Sequence, residues 1–202
     1  MKQRLRSRAK RKTVSRGASA AIQRRLATED WWRGAFQVGL YRSTPSEPAT
    51  DWLLADLLAR RVRTAVPVRR GRAYAWGWVD ENTRWRLGAH GIREPRSAPP
   101  ARPTELQVIL VPGMAFDVLG GRLGHGRGHF DRLLARRGAL LVGLCSENRM
   151  VASVPMEAHD VRMDVVVTEK RTCYAPPAEA KLERLLAGAG HAGRPRAGKG
   201  TT

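Results

Sequence analysis

At 202 residues with 42% hydrophobic content, the chain has the length for one domain with a sizeable core, and it is too apolar to be a disordered segment. It carries no apolar run long enough to span a bilayer, a secretory leader is not expected from its basic but non-apolar start, and two cysteines, Cys145 and Cys173, argue against a disulfide framework and for a reducing, cytoplasmic setting. Lys and Arg number 37 against 18 Asp and Glu, a net charge of +19 that attracts polyanions, from nucleic acid to phosphorylated or polyglutamylated small molecules. The basic residues are spread over the whole chain and no nucleic-acid module stands out, so nucleic-acid binding is an alternative rather than the leading expectation.

Residues 1–27 contain ten Lys or Arg and no acid. Leu5, Ala9, Val14, Ala18, Ala21, Ile22 and Leu26 have loose helical spacing, which predicts a basic arm of two helical pieces parted at Gly17. Ala35 to Tyr41 reads as a strand and Arg42 to Pro48 as a turn. Trp52 to Arg61 reads as a helix capped by Thr50 or Asp51. Thr64 to Val68 is a short strand whose Pro67 suggests an edge or a strand end. Ala73 to Val79 reads as a hairpin arm with Trp85 to Leu87 as its partner, and Arg96 to Pro103 as a loop.

Leu106 to Val111 is a continuous apolar run, the mark of a buried strand. A loop follows with Gly120, Gly121, Gly124, Gly126 and Gly128 interspersed with Arg122 and Arg127, and a helix begins near Phe130 and Asp131 and runs to Arg137. Glycines let backbone N–H groups approach an anion and the helix start adds partial positive charge, so strand, loop and helix together suit a phosphate. Ala139 to Cys145 and Val161 to Thr168 are further buried strands, Ala178 to Leu186 is a last helix, and residues 188–202 are expected to be disordered. The pattern predicts a single α/β domain with an open, mostly parallel, Rossmann-like sheet and helices on both faces. Residues 1–175 form the domain and 176–202 a C-terminal helix and tail. An acid inside an apolar strand is costly unless paired or metal-bound, which marks Asp164 on physical grounds alone.

Two other motifs carry little. Gly193 to Lys199 has P-loop spacing, but no strand precedes it and Gly200 stands where Ser or Thr is needed. His125 and His129 stand four apart like a zinc pair, but Gly126 and Gly128 between them oppose a helix.

PGMAFD at 112–117 followed by the glycine-rich run to Arg132 resembles the signature of the 5-formyltetrahydrofolate cyclo-ligase family, also called 5,10-methenyltetrahydrofolate synthetases. Lys2 to Arg6, the stretch from Tyr41 through Glu47 to Thr50, Gly91 to Pro95, and Pro155 to Glu169 resemble further family blocks, in family order. The resemblance implies ATP-dependent conversion of 5-formyltetrahydrofolate to 5,10-methenyltetrahydrofolate, with Mg²⁺. It implies that Lys2, Gln3, Arg4, Leu5 and Arg6 fold back to bind ATP with Arg122, Leu123, Gly124, His125, Gly126, Arg127, Gly128, His129 and Phe130. It further implies that Arg122 and Arg127 assist catalysis, that Glu47, His125, His129 and Phe130 meet the reduced folate, and that Asp131 and Asp164 hold the metal. The chain departs from the family at His129-Phe130, where Tyr-Tyr is common, and at Ala49, where an acid is usual. A divergent member that keeps the nucleotide loop but acts on another substrate, or on none, is the second alternative.

Overall fold

The computed structural model describes residues 2–10, 13–71, 73–88, 91–126, 128–134, 138–176 and 178–189. Its centre is a seven-stranded sheet built from β1 (Gln37–Gly39), β2 (Arg63–Arg70), β3 (Ala73–Val79), β6 (Val108–Pro112), β9 (Leu140–Leu144), β10 (Val165–Val167) and β11 (Thr172–Tyr174), in the spatial order β11-β10-β9-β6-β1-β2-β3. The inner pairings are parallel, and the edge strands β3 and β11 run antiparallel to their neighbours. The chain moves outward from β1 to β2 and β3, then returns to the other side of β1 with β6. The strand order therefore reverses between β1 and β6, and a crevice opens there at the carboxyl ends of the strands.

Apolar residues on both sides of each strand divide the core in two. Val38, Leu40, Val108, Leu110, Val142 and Val165 face α2 (Arg16–Thr28), α3 (Asp30–Arg33), α4 (Asp51–Ala59) and α6 (Glu179–Ala189), whose Ile22, Leu26, Trp32, Leu53, Leu57 and Leu185 complete that layer. Ile109, Val111, Leu141 and Val166 face Phe116, Trp76, Leu133 and Leu134. That second layer has only one short helix, α5 (His129–Leu133), and is closed mainly by the hairpin β7 (Ala115–Phe116) and β8 (Arg122–Leu123). The close fit is visible at Gly143, where a Cβ would lie 2.4 Å from the Phe116 ring.

Several expectations shift in detail. The two N-terminal helices part at residues 13–15, not at Gly17: Ser15 caps α2 by accepting from Ala18 N at 3.1 Å, and Gly17 lies in its first turn. Pro67 stands in an inner strand, yet β1 pairs with β2 only as far as Gly39↔Ala65, so that side of Pro67 is locally open. The partner of β3 is β2. β4 (Trp85–Leu87) pairs instead with β5 (Arg93–Pro95), because the Pro-rich stretch at 98–101 takes the outer edge of β3 through Trp78 N to Pro99 O at 2.8 Å. Thr50 does not cap α4; its hydroxyl donates to Tyr41 O at 2.7 Å. Residues 135–137, where the helix that begins near Phe130 is expected to end, and the P-loop-like tail lie outside the described residues.

Asp117, quoted above only as part of a signature, holds the β7–β8 hairpin. It is 2% exposed and accepts from Leu119 N at 2.9 Å, Gly121 N at 2.8 Å and Val154 N at 2.7 Å. Asp117→Ala leaves these donors without their acceptor and is expected to cost about 3–5 kcal/mol. Asp117→Asn keeps the oxygen that serves Leu119 and Gly121 and is expected to cost less. Urea unfolding of the two variants checks the order.

Candidate active site

A cleft of about 910 Å³ occupies the crevice between β1 and β6. Its inner wall is the segment after β1, Tyr41 to Glu47. Its facing wall is Pro112 at the end of β6, Arg122, Gly124, His125, Gly126 and Gly128, and Phe130, Asp131 and Leu133 of α5. The strands β2 and β3 contribute Pro67, Arg69 and Tyr74, and the β4–β5 hairpin contributes Ile92 and Glu94. A strand-to-loop transition at a switch point is where an open α/β sheet offers unpaired backbone groups and convergent side chains.

The inner wall is rigid. Tyr41 is 1% exposed and its hydroxyl donates to Pro48 O at 2.8 Å, while Ala49 is tied to α2 through Ser19 Oγ and Gln23 Nε2. Burial, followed by the nearby Glu47 carboxylate, pushes the Tyr41 phenol well above its usual range, so it stays a donor. Glu47 is buried; its Oε2 accepts from Thr44 N at 2.9 Å, and its Oε1 lies 3.5 Å from His125 Nε2 across the cleft. The buried Arg149 stands behind this wall. Burial draws its guanidinium below the usual range, and the neighbouring Cys145 and Glu47 act the other way.

On the facing wall Arg122 is 7% exposed. Its Nη1 donates to Pro112 O at 3.3 Å and its Nη2 to Asp131 Oδ1, so one guanidinium links the end of β6 to α5. Gly128 precedes α5 with φ +62°, a conformation that side chains rarely adopt. Phe130 packs against both core layers and presents its ring to the cleft. Arg127 and the His129 side chain lie outside the described residues.

The N-terminal arm folds back as α1 (Lys2–Lys10). Leu5 packs on Met114, Ala115, Leu123 and Val154, and Arg6 Nε donates to Gly124 O at 3.0 Å. The Arg6 guanidinium also lies against Gly126, where a Cβ would be 3.3 Å from Cζ. Gln3 and Arg4 are exposed. Lys2 is engaged by acids: Nζ lies 2.7 Å from Asp160 Oδ2 and 2.9 Å from Glu157 Oε1. The Asp160 hydrogen bond, foremost, raises the Lys2 ammonium pKa. Spacing alone did not suggest this pairing across 158 residues.

Of the expected site residues, Lys2 to Arg6, Leu123 and Asp164 are not among those that line the cleft. Asp164 stands level with Leu141, near the amino ends of β9 and β10, whereas the cleft is at their carboxyl ends. Its Oδ2 accepts from Leu141 N at 2.8 Å and from Lys181 Nζ of α6 at 2.6 Å. The burial of this acid is matched by a lysine and a backbone donor. Among the described residues there is no group of three or more His, Cys, Asp or Glu that could hold a metal ion. No helix is long and apolar enough to cross a membrane among them.

Residues 1–169 match the family model described as the 5-formyltetrahydrofolate cyclo-ligase family. A 5-formyltetrahydrofolate cyclo-ligase of Mycolicibacterium smegmatis is 36% identical over 147 residues, covering 67% of this chain and 74% of that protein. One of Saccharomyces cerevisiae is 43% identical over 70 residues, covering 31% of this chain and 33% of its own. The solved structure of the Aquifex aeolicus 5,10-methenyltetrahydrofolate synthetase is similar, with a TM-score of 0.78 and 30% identity over 87% of this chain and 93% of that one. That of a Mycoplasma pneumoniae 5,10-methenyltetrahydrofolate synthetase shares the fold, with a TM-score of 0.64 at 20% identity over 83% of this chain and 98% of that one. A match that runs from the arm through the glycine-rich loop to the last parallel strand places this chain in the 5-formyltetrahydrofolate cyclo-ligase family.

Proposed function

We propose that the chain converts 5-formyltetrahydrofolate to 5,10-methenyltetrahydrofolate, with ATP giving ADP and phosphate. The observation that carries this is the cleft itself: a glycine-rich loop with a buried arginine faces a buried carboxylate, both at the switch point of the sheet. The substrate's one-carbon unit is an N5-formyl amide, a poor electrophile whose oxygen is a poor leaving group. Transfer of the γ-phosphoryl group to that oxygen creates a phosphate leaving group. The N10 lone pair then attacks the formyl carbon, the carbon–oxygen bond breaks with loss of phosphate, and the N10 proton leaves to solvent.

The residues divide this work. The buried Glu47 carboxylate accepts from the guanidine-like edge of the pterin, with His125 beside it, and Phe130 stacks on the ring. The backbone of residues 123–128 and Arg122 hold the phosphates, and Arg6 props the loop at Gly124. Phosphoryl transfer needs positioning and charge neutralisation above all, which a guanidinium fixed between Pro112 O and Asp131 provides without reorganisation.

Mg²⁺ suits this site. It takes few protein ligands and completes its shell with phosphate oxygens and water, so a single cleft carboxylate, Asp131, is a sufficient anchor. Bound there, the ion would neutralise phosphate charge. A cytoplasmic setting agrees with an ATP-dependent reaction and with the two free thiols, Cys145 and Cys173. The catalytic unit is taken as residues 1–175.

The test is methenyl absorbance on mixing the protein with 5-formyltetrahydrofolate, Mg²⁺ and ATP, and with each omitted. Absorbance is expected to rise only in the complete mixture, with one phosphate released per methenyl formed. Hydrolysis of ATP without methenyl would overturn the reading and move the weight to a divergent member with another substrate.

A further inference from the structure

The glutamyl end of the substrate is acidic, and three arginines and one histidine line the described part of the cleft: Arg42, Arg69, Arg122 and His125. Three of them face acids. Arg42 Nη2 lies 2.6 Å from Asp51 Oδ1, with its guanidinium 5.0 Å from the Trp85 ring. Arg122 pairs with Asp131, and His125 lies against Glu47. Among the described residues, Arg69 is the cleft-lining cation with no acid partner; its Nε donates to Gly71 O of its own turn at 3.0 Å. That bond orients the guanidinium and leaves the two Nη groups as a fork that fits a carboxylate.

Its position fits the remaining end of the ligand. β1 pairing stops at Ala65, so β2 beyond that point, with β3, projects past the carboxyl edge of the sheet. Pro67 and Arg69 lie on the same side of β2, and both line the cleft. Arg69 is therefore about 6–7 Å further toward the rim than Pro67. Tyr74, its cross-strand partner, and Ile92 add an apolar surface on the way. With the pterin edge on buried Glu47, the p-aminobenzoyl ring runs outward past Pro67 and Tyr74, and the acidic tail arrives at the rim. Arg93 faces away, because its neighbours Ile92 and Glu94 are the ones that line the cleft.

We propose that Arg69, at the tip of the β2–β3 hairpin, is the residue that binds the glutamyl carboxylates of the folate and sets the preference for substrates with an acidic tail. This rests on the folate reading above. Arg69 is a binding residue and takes no part in the chemical step.

The experiment compares 5-formyltetrahydrofolate, its triglutamate, and the glutamate-free 5-formyltetrahydropteroate as substrates of the wild type, Arg69→Ala and Arg69→Lys. In Arg69→Ala the ratio of kcat/KM for 5-formyltetrahydrofolate to that for the pteroate is expected to fall about tenfold, through KM, as for a lost charged hydrogen bond. Arg69→Lys is expected to recover part of it. The wild-type preference for the triglutamate is expected to weaken with added salt, and more steeply than in Arg69→Ala. An unchanged ratio, or a rise in KM for ATP in place of the folate, overturns the proposal. Failure of the folate reading looks different: the wild type then forms no methenyl product from any of the three substrates.

Discussion

Arg122→Ala is expected to lower kcat/KM for methenyl formation by about 10²–10³-fold, the usual loss when one preorganised charge is removed from a transition state. The guanidinium is nearly inaccessible to water and held at both ends, by Pro112 O and by Asp131. On the proposed reading it would meet developing phosphate charge where solvent cannot substitute for it, and with little entropy left to lose. The effect should fall mainly on kcat, because on the proposed reading the loop backbone still holds ATP. Arg122→Lys is expected to recover roughly a tenth of the lost rate at most, since an ammonium cannot span the carbonyl and the carboxylate together. The same contacts are structural, so the melting temperature of each variant must be measured beside its rate. A folded Arg122→Ala protein within about threefold of the wild-type rate would remove Arg122 from the chemistry.

The contrast between Asp131 and Asp164 shows what was legible before the fold was known. Strand, glycine-rich loop and helix start are local features, and the strand and the helix start within residues 106–132 were legible, although the β7–β8 hairpin between them was not. An acid beside an apolar run is also local, but the reason for its burial is not. The physical penalty at Asp164 was recognised, yet the group that relieves it is Lys181, in a helix that packs there only once the sheet exists. The same holds for the arm. The family resemblance implied that it folds back, and the structure pairs its Lys2 with Glu157 and Asp160, residues that spacing could not bring near it. Strand order was likewise out of reach, because buried parallel strands share one apolar composition whichever neighbour they take. Glu47 had no local signal beyond its place in a polar turn, and only the family resemblance picked it out. Arg69 had even less: an arginine among many in a chain with +19 net charge, distinguished only when its neighbours in the cleft were found to be paired.

Gly120→Ala is expected to be the more damaging of two chemically identical substitutions, Gly120→Ala and Gly71→Ala. Both glycines have positive φ, +77° and +60°. An alanine pays about 1–2 kcal/mol for that conformation at either site. The surroundings differ completely. At Gly71 nothing lies within 4 Å of an added Cβ, so the conformational cost is the whole cost. At Gly120 the Cβ would stand 2.0 Å from the backbone oxygen of Met163, and backbone cannot swing aside as a long side chain can. The Met163 N–H also donates to Gly120 O at 2.8 Å, so relieving the clash breaks a bond that ties the β7–β8 hairpin to the segment entering β10. The combined penalty is about 4 kcal/mol or more, in the range reserved for overpacking against fixed structure. For a chain of this size that corresponds to roughly 8–16 °C in melting temperature, against about 2–8 °C for Gly71→Ala. The hairpin carries Asp117 at the start of its turn and Arg122 on its return strand, so the displacement also reaches the cleft. Gly120→Ala should therefore lose turnover below its own melting transition, while Gly71→Ala keeps it. Equal shifts for the two variants would mean that the hairpin is not pinned against Met163, and that the position of Arg122 depends on something other than this contact.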